Sequence, residues 1–106
     1  MLNICILKHK EQYRAFSVRG HAGYAEAGSD IVCAAVSVLT IHTVNAIETL
    51  TDAKLEYMEE DGLVDVNFLD SLPHEAQLFM DAYVSSLKQT IQAYGKQYIH
   101  LEIREV

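Results

Sequence analysis

One stretch of this chain could do chemistry: Gly20-His21-Ala22-Gly23-Tyr24-Ala25-Glu26-Ala27-Gly28-Ser29-Asp30-Ile31-Val32-Cys33. His21 stands where a polar strand stops, and Cys33 falls in the first turns of a long apolar helix. An imidazole and a thiol at neighbouring element ends suit a thiolate nucleophile with a proton acceptor close by. Asp30, Cys33 and Ser37 are spaced i, i+3, i+7 and share one helix stripe. Burying Asp30 and Ser37 in a closed core would demand hydrogen-bond partners, so a cleft facing the loop is the simpler arrangement. With Ser29 as N-cap, the Cys33 side chain leans back over the first turn. Free amides and the positive helix end lie there, a setting that lowers a thiol pKa and offers donors to a developing oxyanion. The Asp30 carboxylate would oppose a thiolate unless another group engages it. A protonated His21 is the candidate, which would make a Cys–His–Asp set.

The elements that must position these groups are legible from periodicity. Residues 2–8 alternate as a strand, and Lys10-Glu11-Gln12 is a polar turn. Residues 13–19 read as a second strand with Phe16 and Val18 on one face together with Arg14. Residues 20–28 carry Gly20, Gly23 and Gly28 and read as a loop expected to be mobile. From Ile31 to about Leu50 the helix is apolar nearly all round. It either crosses the core, or covers a sheet with one face and a partner subunit with another. Asp61-Gly62 marks a hairpin across residues 53–69. Pro73 opens a second helix whose stripe is Ala76, Phe79, Met80, Tyr83, Leu87, Ile91 and Tyr94, stopped at Gly95. A last strand runs from about Gln97 to Glu105. The order ββαββαβ predicts one α+β domain over residues 1–106. It would be a two-layer sandwich of a mixed or mainly antiparallel sheet under two helices.

Composition narrows the function classes. A chain of 106 residues, half of them apolar and with mean hydropathy near zero, reads as soluble and globular. No unbroken apolar run reaches the ~18 residues of a spanning helix, and no signal-peptide pattern opens the chain, so neither membrane nor secretion is expected. The net charge of −7 argues against direct nucleic-acid binding and suits a basic protein partner. Cys5 sits mid-strand and reads as structural, so the two cysteines suggest a reducing cytoplasm rather than a disulfide scaffold. His9, His42, His74 and His100 read as surface, helix or turn residues. A metal site of His21, Cys33 and Asp30 lacks any H-x-x-x-H or C-x-x-C spacing. The glycine loop lacks the G-K-[ST] ending of a phosphate loop, so no cofactor is expected.

Gly20-His21-Ala22 followed by Gly28-Ser29-Asp30-Ile31-Val32-Cys33-Ala34-Ala35-Val36-Ser37 resembles the bacterial ribosomal-processing cysteine protease family, Prp. The family pattern is a G-H-A start, a variable loop, and G-x-D-I/L-V-C followed by small residues and a serine. Every motif position is matched, and the resemblance extends over the whole length. It implies a cytoplasmic homodimer that removes the N-terminal extension of large-subunit ribosomal protein twenty-seven after an aromatic pair. By the same resemblance Cys33 would be the nucleophile and His21 the general base, with Asp30 and Ser37 in supporting positions and the loop 22–28 a mobile segment hinged at Gly23 and Gly28. An aromatic-reading subsite needs an apolar pocket, for which Tyr24, Phe79 and Tyr83 are the candidates.

Two other readings fit the same residues. The all-apolar helix could be the interface of a non-catalytic dimeric module associated with ribosome assembly. A thiol redox sensor is the third reading, disfavoured because Cys5 lies on a separate strand and cannot resolve an oxidised Cys33.

Overall fold

The computed structural model describes residues 1–26 and 30–106. Its elements follow the expected order: β1 (Leu2–His9), β2 (Gln12–Gly20), α1 (Ile31–Leu50), β3 (Leu55–Glu60), β4 (Leu63–Phe68), α2 (His74–Tyr94) and β5 (Ile99–Glu105). The strands form one mixed sheet in the order β3-β4-β2-β1-β5. All neighbours are antiparallel except β5, which lies parallel to β1. A helix crossover is what permits a parallel return, and α2 supplies it. The two helices pack on each other over one face of the sheet, so the architecture is the predicted two-layer α+β sandwich.

Register decides what each face carries. Ile4 pairs with Val18 on one side and Leu101 on the other, and Ile6 with Phe16 and Ile103. These positions share a face with Leu2, Val66 and Ile99, and all but the exposed Ile103 build the core under the helices. The intervening Asn3, Ser17, Asp65 and His100 form the opposite, solvated face, as in sheets covered on one side only. Cys5 lies on that second face between Ser17 and Glu102. β2 departs from plain alternation. Leu7 pairs with Ala15 but Lys8 pairs with Tyr13, so Arg14 is the extra residue of a β-bulge. Tyr13 rather than Arg14 therefore turns inward, and its hydroxyl donates to Asp81 Oδ1 at 2.6 Å on α2.

The N-cap of α1 is Asp30, not the expected Ser29, which lies outside the described residues together with Ala27 and Gly28. Asp30 Oδ1 accepts the N–H groups of Val32 and Cys33, each at 3.0 Å, and Oδ2 accepts that of Tyr24 at 3.1 Å. These donors, the Cys33 amide foremost, hold the carboxyl below its ordinary range. Beyond the cap, α1 buries Val32, Val36, Thr40, Val44 and Ile47 and leaves Ile31, Val38, Ile41 and Leu50 exposed. The hydroxyls of Thr40, Thr43 and Thr49 fold back onto the carbonyls of Val36, Leu39 and Asn45. Its mean hydropathy of 1.6 over 18 residues makes α1 long and apolar enough to cross a membrane, which corrects the expectation that no segment would be. That average rises because Val, Ile, Leu and Ala outweigh scattered Thr, Ser and Asn, without any unbroken run. Its buried face nonetheless serves as a core face here.

α2 buries Ala76, Met80, Tyr83, Val84 and Leu87, while Tyr94 ends the predicted stripe in an exposed position. Gly95 closes the helix, its N–H donating to the Ile91 carbonyl at 2.8 Å. The two helices share one buried polar link. Thr40 Oγ1 lies 2.8 Å from the Tyr83 hydroxyl, and the Tyr83 ring packs 5.1 Å from Phe16. Burial pushes the Tyr83 phenol up to about 12, so it stays a neutral hydroxyl.

Two outcomes follow from these contacts. Tyr83→Phe keeps the ring and loses one hydrogen bond, so it should cost about 1 kcal/mol in urea unfolding with an unchanged m-value. Tyr83→Ala, which also opens a cavity, should cost about 3–5 kcal/mol; equal losses would show that the hydroxyl carries the whole effect. The second concerns Asp30. Its folded pKa lies below its unfolded value, so its contribution is full above the ordinary carboxylate pKa and is lost as pH falls through the lowered one. Asp30→Ala should therefore lower the Tm at neutral pH, and the gap to the unsubstituted protein should close as pH drops below about 4. A gap that stays constant through that window would mean the charge does not hold the cap.

Candidate active site

The end of β2 fixes where His21 begins. Gly20 donates its N–H to the Gly62 carbonyl at 2.9 Å, which ties this strand end to the β3–β4 hairpin tip. Gly20 has φ +87°, and a β-carbon there would come 2.8 Å from the Met1 carbonyl oxygen, so only glycine fits. His21 follows at once, and a β-carbon on Gly62 would lie 3.6 Å from its Nε2. The imidazole is thus a neighbour of the hairpin tip. Cys33 is half-buried near the start of α1, and its sulfur accepts the Ala22 N–H at 3.1 Å.

A cavity of about 460 Å³ opens between α1 and the β3–β4 hairpin. His21, Cys33 and Ser37 line it together, and Thr40 and Ile41 extend the wall along α1. Glu59, Glu60, Asp61 and Gly62 form the opposite wall, and Leu2, Val18, Val36 and Val64 contribute apolar surface. Three of the four sequence-predicted site residues therefore meet in one cavity. Asp30, the fourth, does not line it. Its carboxylate is spent on the amides of Tyr24, Val32 and Cys33, so the expected contact with His21 is replaced by helix capping. Among the described residues, no hydrogen bond joins His21 to Cys33 in this substrate-free geometry.

The electrostatics of Cys33 also differ from the sequence expectation. Burial pushes the thiol up, the Ala22 N–H pulls it down, and the nearby Asp30 carboxylate pushes it up again; the net direction is upward. The reason is local. Burial comes first, and the Val32 and Cys33 amides that would favour a thiolate are bonded to the Asp30 carboxylate, whose charge opposes one.

The aromatic candidates for a subsite are placed elsewhere. Tyr83 is a core residue, Phe79 packs against the core, and Tyr24 meets Tyr94 and Tyr98 edge-on at 5.9 and 5.1 Å. The apolar surface of the cavity is aliphatic instead. Of the expected hinges, Gly23 has φ +72° with open space at its β-carbon position, and Gly28 lies outside the described residues. Sequence reasoning missed the acidic wall Glu59–Asp61 and the pair Tyr94 and Tyr98. The Asp61-Gly62 turn marks the hairpin, but only the strand order shows that its tip folds back to His21. Among the described residues, no three His, Cys, Asp or Glu side chains gather as a metal site.

Comparison with known proteins bears on the same residues. The family model of the cysteine protease Prp matches residues 1–100. The ribosomal processing cysteine protease Prp of Staphylococcus aureus strain Mu50 is 36% identical over 87 residues, which cover 80% of this chain and 81% of that protein. That of Bacillus subtilis strain 168 is 33% identical over 92 residues, 81% of this chain and 82% of that one. Among solved structures, the S. aureus ribosomal processing protease Prp with a covalently linked product peptide superposes with a TM-score of 0.92 at 30% identity, covering 98% of this chain and all of that one. The same enzyme with a substrate peptide gives 0.86 at 29% identity and the same coverage. With the thiol, imidazole and serine of the family motif meeting in one cavity of this fold, the chain belongs to the cysteine protease Prp family.

Proposed function

We propose that this protein is a cysteine endopeptidase that removes the N-terminal extension of large-subunit ribosomal protein twenty-seven during ribosome maturation. The observation that carries the reading is the single cavity shared by Cys33 and His21 in a chain of this family. Cys33 is the nucleophile and His21 the general base. Burial pushes the thiol pKa up, which favours attack of the general-base kind over a standing thiolate–imidazolium pair. As the peptide carbonyl arrives, His21 takes the thiol proton while the sulfur–carbon bond forms. The imidazolium then returns that proton to the leaving amine as the carbon–nitrogen bond breaks, leaving a thioester on Cys33. Water, deprotonated by His21, attacks the thioester and releases the carboxylate product and the thiol.

Ser37 lines the cavity one turn beyond Cys33, in reach of a bound peptide, and Asp30 supports the site by capping the helix that carries the sulfur. The −7 net charge and the Glu59–Asp61 wall suit a basic protein tail, with an attraction that salt weakens. A cytoplasmic homodimer is part of the same proposal, and the exposed Ile31, Val38, Ile41 and Leu50 of α1 support it as surface a second copy would cover. No cofactor enters the reaction.

The test is cleavage of a peptide spanning the extension junction. Cys33→Ala should abolish turnover with the thermal transition retained, and His21→Ala should slow it by about 10²–10⁴-fold. Cleavage by Cys33→Ala at the unsubstituted rate would end the peptidase reading and leave the interaction module.

A further inference from the structure

We infer that the main-chain N–H of Ala22 is the oxyanion donor of this site, and that Tyr24 is the positioning residue that holds it there. The inference rests on the reading of Cys33 as peptidase nucleophile. Acyl transfer needs a preorganised donor beside the sulfur, aimed where the carbonyl oxygen becomes negative. The amides at the start of α1 are the obvious source, yet those of the three residues nearest the sulfur in the first turn, Val32, Cys33 and Ala34, are committed. Val32 and Cys33 both donate to Asp30 Oδ1 at 3.0 Å, and Ala34 donates to the Asp30 carbonyl at 3.1 Å. The amide aimed at the sulfur is instead that of Ala22, 3.1 Å from it.

In the resting site this N–H meets a weak acceptor, a thiol sulfur. When the sulfur bonds to the carbonyl carbon, the electron pair of the C=O double bond moves onto the oxygen, which sits on the carbon next to that sulfur. A small displacement passes the N–H from sulfur to oxyanion. The bond is then stronger in the transition state than in the ground state, which is the condition for raising kcat.

The donor is braced on both sides. The Ala22 methyl is buried in the core, and the Tyr24 N–H is tied to Asp30 Oδ2 at 3.1 Å. The Tyr24 ring stands edge-on to Tyr94, the last residue of α2, and to Tyr98, whose carbonyl accepts the Leu2 N–H at 2.9 Å. Two aromatic contacts against fixed elements thus hold the segment that carries the Ala22 amide. Among the described residues the Tyr24 hydroxyl makes no hydrogen bond, so the ring is the part in use.

The test removes the donor atom alone. Ligation of a synthetic segment 1–32 to residues 33–106 through Cys33 allows lactate to replace Ala22, turning the amide into an ester. With the junction peptide as substrate, kcat should fall about 10²–10³-fold with KM unchanged. Alkylation of Cys33 by iodoacetamide at its high-pH plateau, which develops no oxyanion, should keep its rate. Tyr24→Ala should lower kcat about tenfold at constant KM, and Tyr24→Phe should restore it. A full kcat in the ester enzyme or in Tyr24→Ala overturns the inference, as does a matching loss of alkylation. If the ester protein does not fold, the Tyr24 pair decides. Turnover that depends on Cys33 but ignores these changes defeats this assignment alone, whereas turnover that survives Cys33→Ala defeats the peptidase reading and this inference with it.

Discussion

The site depends on one carboxylate and the three amides it takes. Asp30 closes the open end of α1 through Val32 and Cys33 and anchors the preceding loop through Tyr24. An α-helix leaves its first N–H groups without partners, and something must satisfy them. Satisfying them with a side chain that also grips the loop fixes the thiol and the main chain opposite it in one step. The Ala22 N–H reaches the sulfur because the chain between Ala22 and Tyr24 is held at both ends.

The same carboxylate shapes the chemistry. A helix N-terminus with free amides would stabilise a thiolate, whereas one already paired with Asp30 does not. Burial then dominates, and the thiol pKa is pushed up. The helix end therefore contributes position more than field. The cavity has a second structural origin. The buried positions of the sheet lie mainly on β1, β2 and β4, while Tyr57 and Glu59 on the helix-facing side of the edge strand β3 remain exposed. The hairpin consequently stands free as the far wall. Its tip returns to His21 because β4 pairs with β2, setting Leu63 opposite Arg19 beside the Gly20–Gly62 bond.

Local rules reveal most of the frame. Alternation identifies the strands, Asp61-Gly62 the hairpin, Pro73 and Gly95 the limits of α2, and the motif around Cys33 the reactive residues. What stays hidden is what depends on competition between partners. Ser29 and Asp30 are both good caps, and sequence alone cannot say which oxygen reaches the amides. Once Asp30 does, the expected His21 contact and the lowered thiol pKa both disappear for one reason. Plain alternation groups Arg14 with Phe16 and Val18, because a bulge leaves no mark in the residue pattern of β2. Tyr94 continues the stripe of α2 by spacing, yet the helix ends there, and its ring is free to meet Tyr24.

A thiol whose pKa is pushed up by burial suits the proposed peptidase. Thiolates are the species that oxidise and alkylate, so an upward shift makes Cys33 less prone to both. In the proposed reaction, reactivity arises with the substrate, when His21 and the carbonyl meet the sulfur together. The cavity favours that order. His21 lies against the hairpin tip and, among the described residues, is not hydrogen-bonded to Cys33, whose thiol faces the Ala22 N–H and the Asp30 carboxylate. In the proposed reaction, a peptide entering between α1 and the hairpin would exclude water from the half-buried thiol and place its carbonyl at the sulfur. Deprotonation and bond formation can then proceed as one event rather than as two independent costs. In such a site the burial that opposes a standing thiolate also strengthens each hydrogen bond made as charge develops.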